Sequence, residues 1–184
     1  ALTFAINLEA QTAKKYFKTG EDFVEAENYK DAIEQFTKAI ELESDFEDAY
    51  LERAKANEKL AKLAEAAEDY NRLTAIEPKE SEYFYNEGRL YFQLDKFDES
   101  IKPLSTAIEL DKKYHAAVQL RSKAYIKLDS FRTAIMDCNL AIDLEKKDPE
   151  NYYNRAVAYD SINNHVQAET DLKQAIAYEM QGEM

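Results

Sequence analysis

Apolar and small residues recur along the chain with the period of an α-helix. Within one stretch they are spaced three and four residues apart, so they fall on one face of a helix. In the middle of the chain these positions are Phe84, Gly88 and Tyr91, followed by Ser100, Leu104, Ala107 and Leu110. The pattern predicts two amphipathic helices joined by a short polar turn.

The same pair of helices is predicted five times. Each second helix begins 34 residues after the one before, without insertion or deletion, at 29–42, 63–76, 97–110, 131–144 and 165–178. A strict period of this length is typical of a stacked array of repeats. Small residues hold the places where paired helices must approach closely: Gly20, Ala54, Gly88, Ser122 and Ala156, then Ala32, Ala66, Ser100, Ala134 and Ala168.

On these positions the chain resembles the tetratricopeptide repeat family. The resemblance also rests on a recurring triplet such as Ala32, Phe36 and Ala39, and it covers residues 13–182. It implies an all-α fold, a right-handed alpha-alpha superhelix (solenoid) of five helix-turn-helix repeats. The implied repeats are 13–46, 47–80, 81–114, 115–148 and 149–182.

The second repeat departs from the others at two positions. Asn57 stands where other repeats have an aromatic residue, and Leu73 replaces an alanine. We therefore expect this repeat to pack least well, and a tyrosine at position 57 to stabilise it.

The aromatic stretch 82–97 has two faces. Phe84, Tyr91 and Phe97 occupy the recurring apolar positions, which predicts that they belong to the core. The other face of the same helix carries Tyr85, Asn86, Arg89, Phe92 and Gln93.

In arrays of this family the first helices line a concave surface that binds an extended peptide or a partner's helix. The resemblance therefore implies a partner-binding groove formed by Tyr85, Asn86, Arg89, Phe92, Gln93, Gln119, Lys123, Lys127, Tyr153 and Asn154. It also implies that asparagines at the places of Asn86 and Asn154 hydrogen-bond the ligand's main chain, because an amide can donate and accept at once.

Charge predicts the chemistry of this ligand. The chain is strongly acidic, with a net charge of −13, but the implied groove of the third and fourth repeats is basic. We expect an extended acidic segment whose carboxylates meet Arg89, Lys123 and Lys127. Tyr85 and Tyr153, with Phe92, would be its apolar anchors. The alternative for this face is a solvated surface of mixed charge without a single ligand.

Composition argues against other classes of function. A net negative charge repels phosphate backbones, so we expect no nucleic acid partner. Cys138 is the only cysteine and the two histidines lie far apart in sequence, so neither an internal disulfide nor a zinc site is expected. The chain has no glycine-rich phosphate loop and no hydrolase motif. The sequence thus predicts a protein that is not an enzyme and uses no cofactor.

Two non-catalytic functions remain open. One is a peptide- or protein-binding adaptor that works through the groove, and the other is an architectural spacer or oligomerisation segment of a larger protein. The last repeat bears on this choice, because no further repeat covers Ile176, Tyr178 and Met180. We expect these side chains to be exposed and to be covered by a second copy, a downstream domain or a partner.

The ends of the chain carry little further information. Residues 1–12 form an N-terminal extension, either the tail of a signal peptide or an extension of the first helix. Residues 183–184 are the end of the given chain, which we expect to be part of a longer protein. The compartment is accordingly cytoplasmic, or periplasmic or secreted if a signal peptide is present. No segment is apolar over the length of a membrane-spanning helix.

Overall fold

The computed structural model describes the backbone of residues 2–182 and the side chains of residues 11–181. This part of the chain contains ten α-helices and no strand. The helices are α1 (Leu2–Glu25), α2 (Tyr29–Leu42), α3 (Glu47–Lys59), α4 (Leu63–Ile76), α5 (Ser81–Gln93), α6 (Phe97–Leu110), α7 (His115–Lys127), α8 (Phe131–Leu144), α9 (Pro149–Ser161) and α10 (His165–Gly182).

The second helices agree closely with the sequence pattern. The bounds of α2, α4, α6 and α8 coincide with the predicted segments, and α6 runs through Pro103. The predictions for the two ends of the chain concern residues 1 and 183–184, which lie outside the described residues, and residues 2–10, whose side chains do as well. They stay predictions.

The chain divides into two compact units, Ala1–Leu90 and Tyr91–Met184, with the boundary inside α5. In the first unit, α1 packs against α2 and α3, α2 packs against α3, and α3 packs against α4. In the second, α7 packs against α6, α8 and α9, while α9 also packs against α8 and α10. Among residues 2–182, none of the helices combines the length and apolarity needed to cross a bilayer.

Each unit buries large apolar side chains between its helices. Phe36, Leu73 and Leu90 are fully buried in the first unit, as are Leu104 and Val118 in the second. The predicted close approaches are present, because the small residues at these positions are buried throughout. Gly20 shows the reason most clearly: a Cβ atom there would lie 2.5 Å from Cε1 of Phe36, well inside van der Waals contact.

The turn inside every helix pair uses one left-handed residue. Glu27, Ala61, Asp95, Asp129 and Asn163 have φ values between 54° and 61°, and they are spaced by the repeat length. This backbone conformation is unfavourable for residues with a side chain, least so for asparagine and aspartate. The two turns with Glu27 and Ala61 therefore carry more backbone strain than the other three.

Three repeats share a buried ion pair that we call the arginine clamp. An arginine of the first helix donates two hydrogen bonds to an aspartate of the second helix, and its third nitrogen reaches a polar side chain of the preceding repeat. The clamps are Arg53 with Asp69 and Thr37, Arg121 with Asp137 and Ser105, and Arg155 with Asp171 and Asn139. Each clamp joins the two helices of its own repeat and fixes that repeat to the previous one.

The structure corrects the expectation that the second repeat packs poorly. Leu73 is fully buried and fills core space. Asn57 is also buried, next to Asp69. Burial raises the pKa of Asp69, while Arg53 and, to a smaller extent, the amide of Asn57 lower it. Asn57 thus supports the first clamp, and the cavity of about 260 Å³ beside it is lined mainly by polar side chains.

The core assignment of the aromatic stretch is also only partly right. Phe84, Tyr91 and Phe97 are each half-buried, whereas the buried residues of α5 are Tyr83, Glu87, Gly88 and Leu90. The helical periodicity was therefore correct, but the buried face is rotated by about one residue.

Candidate functional site

In the first unit, the predicted groove residues lie on α5 and face α3. Arg89 and its neighbours Tyr85 and Asn86 are half-buried. The guanidinium of Arg89 donates to Glu58 (Nη2 to Oε2, 2.6 Å) and to Asn86 (Nε to Oδ1, 3.2 Å). The charge of Arg89 is therefore compensated within the protein. A ligand carboxylate would have to share this guanidinium with Glu58, and the predicted role of Arg89 stays a prediction.

A second polar contact joins the same two helices. The hydroxyl of Tyr83 donates to Oε1 of Glu47 at 2.5 Å. Burial is the main cause that raises the pKa of Tyr83, and the hydrogen bond to Glu47 raises it further. The phenol therefore remains a protonated donor at neutral pH. Together with the Arg89–Glu58 pair, it fixes α5 on α3.

In the second unit, the predicted groove residues Gln119 and Lys123 lie on α7 and face α9. The amide of Gln119 donates to Oδ2 of Asp148 at 2.7 Å and to Oδ1 of Asn151 at 3.1 Å. Lys123 forms an ion pair with Glu150 at the start of α9. We call this set of contacts the α7–α9 seam.

The seam continues at the start of α7 with His115. Its Nε2 lies 2.9 Å from Nδ2 of Asn151 and 3.6 Å from Oδ2 of Asp148. The amide of Asn151 donates to this nitrogen when His115 carries its proton on Nδ1. His115 thus holds a structural contact between two first helices.

Three predicted groove residues are exposed. Lys127 ends α7, Gln93 ends α5, and Tyr153 lies on α9 with 54% of its surface accessible. Tyr153 also borders the open side of α10, where it lines two grooves together with Leu172. It is the only large aromatic side chain among residues 11–181 that is mostly exposed.

Two predicted groove residues are placed differently from the expectation. The ring of Phe92 packs edge-on against Phe97 with 5.1 Å between centroids, so it contributes to the interior of a helix pair and is not an exposed anchor. Asn154 is buried, and its Nδ2 has no hydrogen-bond partner among the described residues. An unpaired buried amide is costly, at roughly 1–3 kcal/mol, which makes this nitrogen a candidate donor for a bound acceptor.

Sequence reasoning missed the carboxylates that pair with the predicted cations. Glu58 lies on the first helix of the repeat before that of Arg89, and Glu150 lies on the first helix of the repeat after that of Lys123. Nothing in the local sequence links either carboxylate to its cation. A repeat-to-repeat comparison of opposite charges on one face would have been the only available signal.

Residues with catalytic potential are held in structural contacts. Cys138 is buried, and burial raises the pKa of its thiol to about 11, so it is protonated and shielded at neutral pH. His165 is exposed and pairs with Asp160 at 2.7 Å. In the part of the chain that the structure describes, no group of three or more His, Cys, Asp or Glu side chains could hold a metal ion.

Family models identify the repeats. A model described as TPR repeat matches residues 20–60, and a model described as tetratricopeptide repeat matches residues 81–114 and 149–179. Together these segments cover more than half of the chain. The chain belongs to the tetratricopeptide repeat family. The ten helices fit five such repeats. A comparison with curated protein sequences finds no match.

Solved structures share the fold over nearly the whole chain. The MamA protein superposes with a TM-score of 0.85 at 19% identity, covering 93% of each chain. YrrB, described as a TPR protein with an unusual peptide-binding site, gives 0.81 at 20% identity over 97% of this chain and 92% of its own. MamA from residue 41 onwards, from Desulfovibrio magneticus RS-1, gives 0.80 at 14% identity, with 92% and 96% covered. These likenesses show the fold, an all-α repeat solenoid.

Proposed function

We propose that this tetratricopeptide repeat protein is a non-catalytic interaction module whose first helices bind an extended acidic peptide segment. Membership of the family supports the general part of this function, since its fold serves protein–protein interaction. YrrB, which shares the fold, is described as having a peptide-binding site.

The α7–α9 seam carries the more specific part of the proposal. Lys123 and Gln119, both predicted groove residues, already bind carboxylates there, namely those of Glu150 and Asp148. The ammonium group of Lys123 and the amide of Gln119 are hydrogen-bond donors of the kind that the carboxylates of a ligand require. Lys127, one helical turn beyond Lys123, is exposed and adds positive charge where such a ligand would approach.

Neighbouring side chains supply the other parts of a peptide site. Tyr153 offers an exposed ring to an apolar ligand residue, and the unpaired amide of Asn154 lies next to it in sequence. A main-chain carbonyl that reached this amide would satisfy a buried donor that the protein leaves open. In the first unit, Tyr85, Asn86 and Arg89 would act with the same chemistry, although Glu58 competes there for Arg89.

The test is binding of two fluorescent peptide pools of equal length, one rich in Asp and Glu and one in which these residues are replaced by Lys and Arg. Fluorescence anisotropy should show binding of the acidic pool that is at least about tenfold tighter. The variant Lys127→Glu should slow association and flatten its dependence on salt, because a rim charge acts mainly through steering.

Lys102→Glu is the matched control, since it makes the same change of charge on the exposed side of the second helix α6. It should leave association nearly unchanged. If the basic pool binds better, or if both variants slow association equally, the acidic-peptide function is wrong and the spacer function takes its place.

A further inference from the structure

The open side of the last helix pair forms a long apolar groove. One part of about 520 Å³ is lined by Tyr153, Leu172, Ala175 and Ile176, and a second of about 550 Å³ continues past Val157 and Ala168. The two parts share Tyr153 and Leu172, so they form one channel along α9 and α10, which we call the terminal groove. Its floor is a continuous apolar surface formed by several side chains, in contrast to the single exposed apolar residues that are common on protein surfaces.

Comparison with the preceding repeat shows what shape the terminal groove accepts. Cys138 occupies the position of Leu172 one repeat earlier and is 1% exposed, because α9 packs against α8 there. Leu172 itself is 41% exposed, and Ile176 is 56% exposed. Within the described part of the chain, α10 therefore presents the face that on α8 is covered by the first helix of the next repeat.

Charge restricts the chemistry of such a helix. The polar rim of the terminal groove carries four carboxylates, Glu150, Asp160, Glu169 and Glu179, and its lining contains no lysine or arginine among the described residues. Glu150 is paired with Lys123, Asp160 with His165, and Glu169 with Lys173, whereas Glu179 is exposed. A helix with basic residues along its edges complements this rim.

Lys173 argues against another repeat of the clamp-bearing kind. It stands at the position from which Thr37, Ser105 and Asn139 accept a hydrogen bond from the next repeat's arginine. A clamp arginine that arrived there would meet an ammonium group, which cannot accept and repels it. The basic residues of the occupant must therefore lie at its edges and not at the centre of its buried face.

We infer that the terminal groove binds an amphipathic helix of a partner protein, with an apolar face between basic edges. This surface adjoins the α7–α9 seam at Glu150, which pairs with Lys123 and also lies on the rim of the terminal groove. Its occupation does not depend on the proposed peptide function.

The probe is a designed, fluorescently labelled helix of about 18 residues, long enough to be helical on its own, with leucines on one face and lysines along both edges. The same helix with glutamates at the edges is the second probe. Fluorescence anisotropy with the full chain should show at least about tenfold tighter binding of the lysine-edged helix.

Ile176→Glu should weaken that binding by at least about tenfold, because it places a charge on the floor of the terminal groove. Glu179→Lys should weaken it about threefold through the rim alone. Met136→Glu is the matched control: it makes the same kind of change at an exposed apolar side chain of α8 and should alter binding less than about twofold. Circular dichroism should report the same helix content for all three variants.

Three results would overturn the inference: equal binding of both helices, no binding of either, or an equal loss in Ile176→Glu and Met136→Glu. A concentration-dependent dimer in light scattering that Ile176→Glu abolishes, together with no binding of the probe helix, would assign the terminal groove to a second copy of the chain. If the lysine-edged helix binds the Lys127→Glu variant as tightly as the unchanged protein, its binding site is not the proposed peptide site.

Discussion

The side-chain amide of Asn71 donates to Oε1 of Glu87 at 2.8 Å, at the place where three other repeats build an arginine clamp. Glu87 stands at the position of Arg53, Arg121 and Arg155, and Asn71 stands at that of Thr37, Ser105 and Asn139. The direction of the hydrogen bond is reversed, since the preceding repeat now donates and the first helix accepts.

The third repeat also departs from the clamp sequence on its second helix. Pro103 stands where the clamp-bearing repeats have Asp69, Asp137 and Asp171. Pro103 is buried in α6, and an uncharged residue there avoids the desolvation cost of a buried carboxylate.

The clamp predicts a large effect of removing one partner. Asp137→Ala should lower the free energy of unfolding by about 3 kcal/mol, because Arg121 would be left largely buried without its carboxylate. Chemical denaturation followed by circular dichroism measures this change. Replacing both residues, as Arg121→Met with Asp137→Leu, should recover most of the loss, since no unpaired charge then remains.

Glu34→Ala is the control for this comparison. It removes the solvent-exposed ion pair with Lys38 (2.7 Å) within one helix, and it should cost less than about 0.5 kcal/mol. An equally small effect of Asp137→Ala would mean that the clamp contributes nothing beyond an ordinary surface pair.

Asn57→Tyr should destabilise the protein, contrary to what the repeat pattern alone suggests. The larger ring would displace a buried amide that favours the ionised form of Asp69. The cavity beside it is lined mainly by polar side chains such as Lys62 and Glu65, which offer a ring little apolar contact. We expect a loss of about 1–3 kcal/mol in thermal or chemical unfolding. Asn57→Ser, which keeps a polar side chain and removes volume, should be better tolerated. A gain in stability for the tyrosine variant would show that the pocket can accommodate a ring as the other repeats do.

The sequence predicted the helices well because their determinants are local and repeated. The period of 34 residues, the small residues at close approaches and the apolar spacing fixed four second helices to the residue, as α2 and α8 show. The phase of the first helices was less certain, because α5 has aromatic residues all around. Tyr83 and Leu90, which carry its burial, were therefore confused with the half-buried Phe84 and Tyr91.

The candidate site could be predicted only as a set of exposed positions. Tyr153 and Lys127 are exposed as expected, but the ion pairs Arg89–Glu58 and Lys123–Glu150 depend on how neighbouring first helices meet. No periodic pattern in the sequence encodes the distance between side chains on neighbouring first helices. Ile176 and Met180 are exposed, as predicted. Tyr178, predicted to be exposed too, is half-buried against Tyr152, with 5.4 Å between ring centroids.

The turn at Ala61 offers a stabilising substitution. Ala61 is exposed and has φ of 55°, a conformation that costs a side-chain-bearing residue roughly 1 kcal/mol and glycine almost nothing. Ala61→Gly should therefore raise the free energy of unfolding by about 0.5–1 kcal/mol. Ala64→Gly, at an exposed position inside α4, should lower it by several tenths of a kcal/mol, because glycine disfavours a helix. Equal destabilisation by both variants would show that chain entropy outweighs the strain at the turn.

The α7–α9 seam makes a prediction that separates an acidic-peptide site from a surface that is merely charged. Glu150 competes with any ligand carboxylate for Lys123, so Glu150→Gln should increase affinity for the acidic peptide pool about three- to tenfold. The lysine then meets the ligand without first losing an internal partner. Glu145→Gln, which removes an exposed carboxylate at the end of α8, gives the same change in net charge and should raise affinity less than about twofold. Isothermal titration calorimetry at two salt concentrations distinguishes the two effects, since a gain from net charge alone disappears as salt rises. If Glu150→Gln gains no more than Glu145→Gln at either salt concentration, Lys123 does not contact the ligand and the acidic segment, if one binds, lies elsewhere on the first helices.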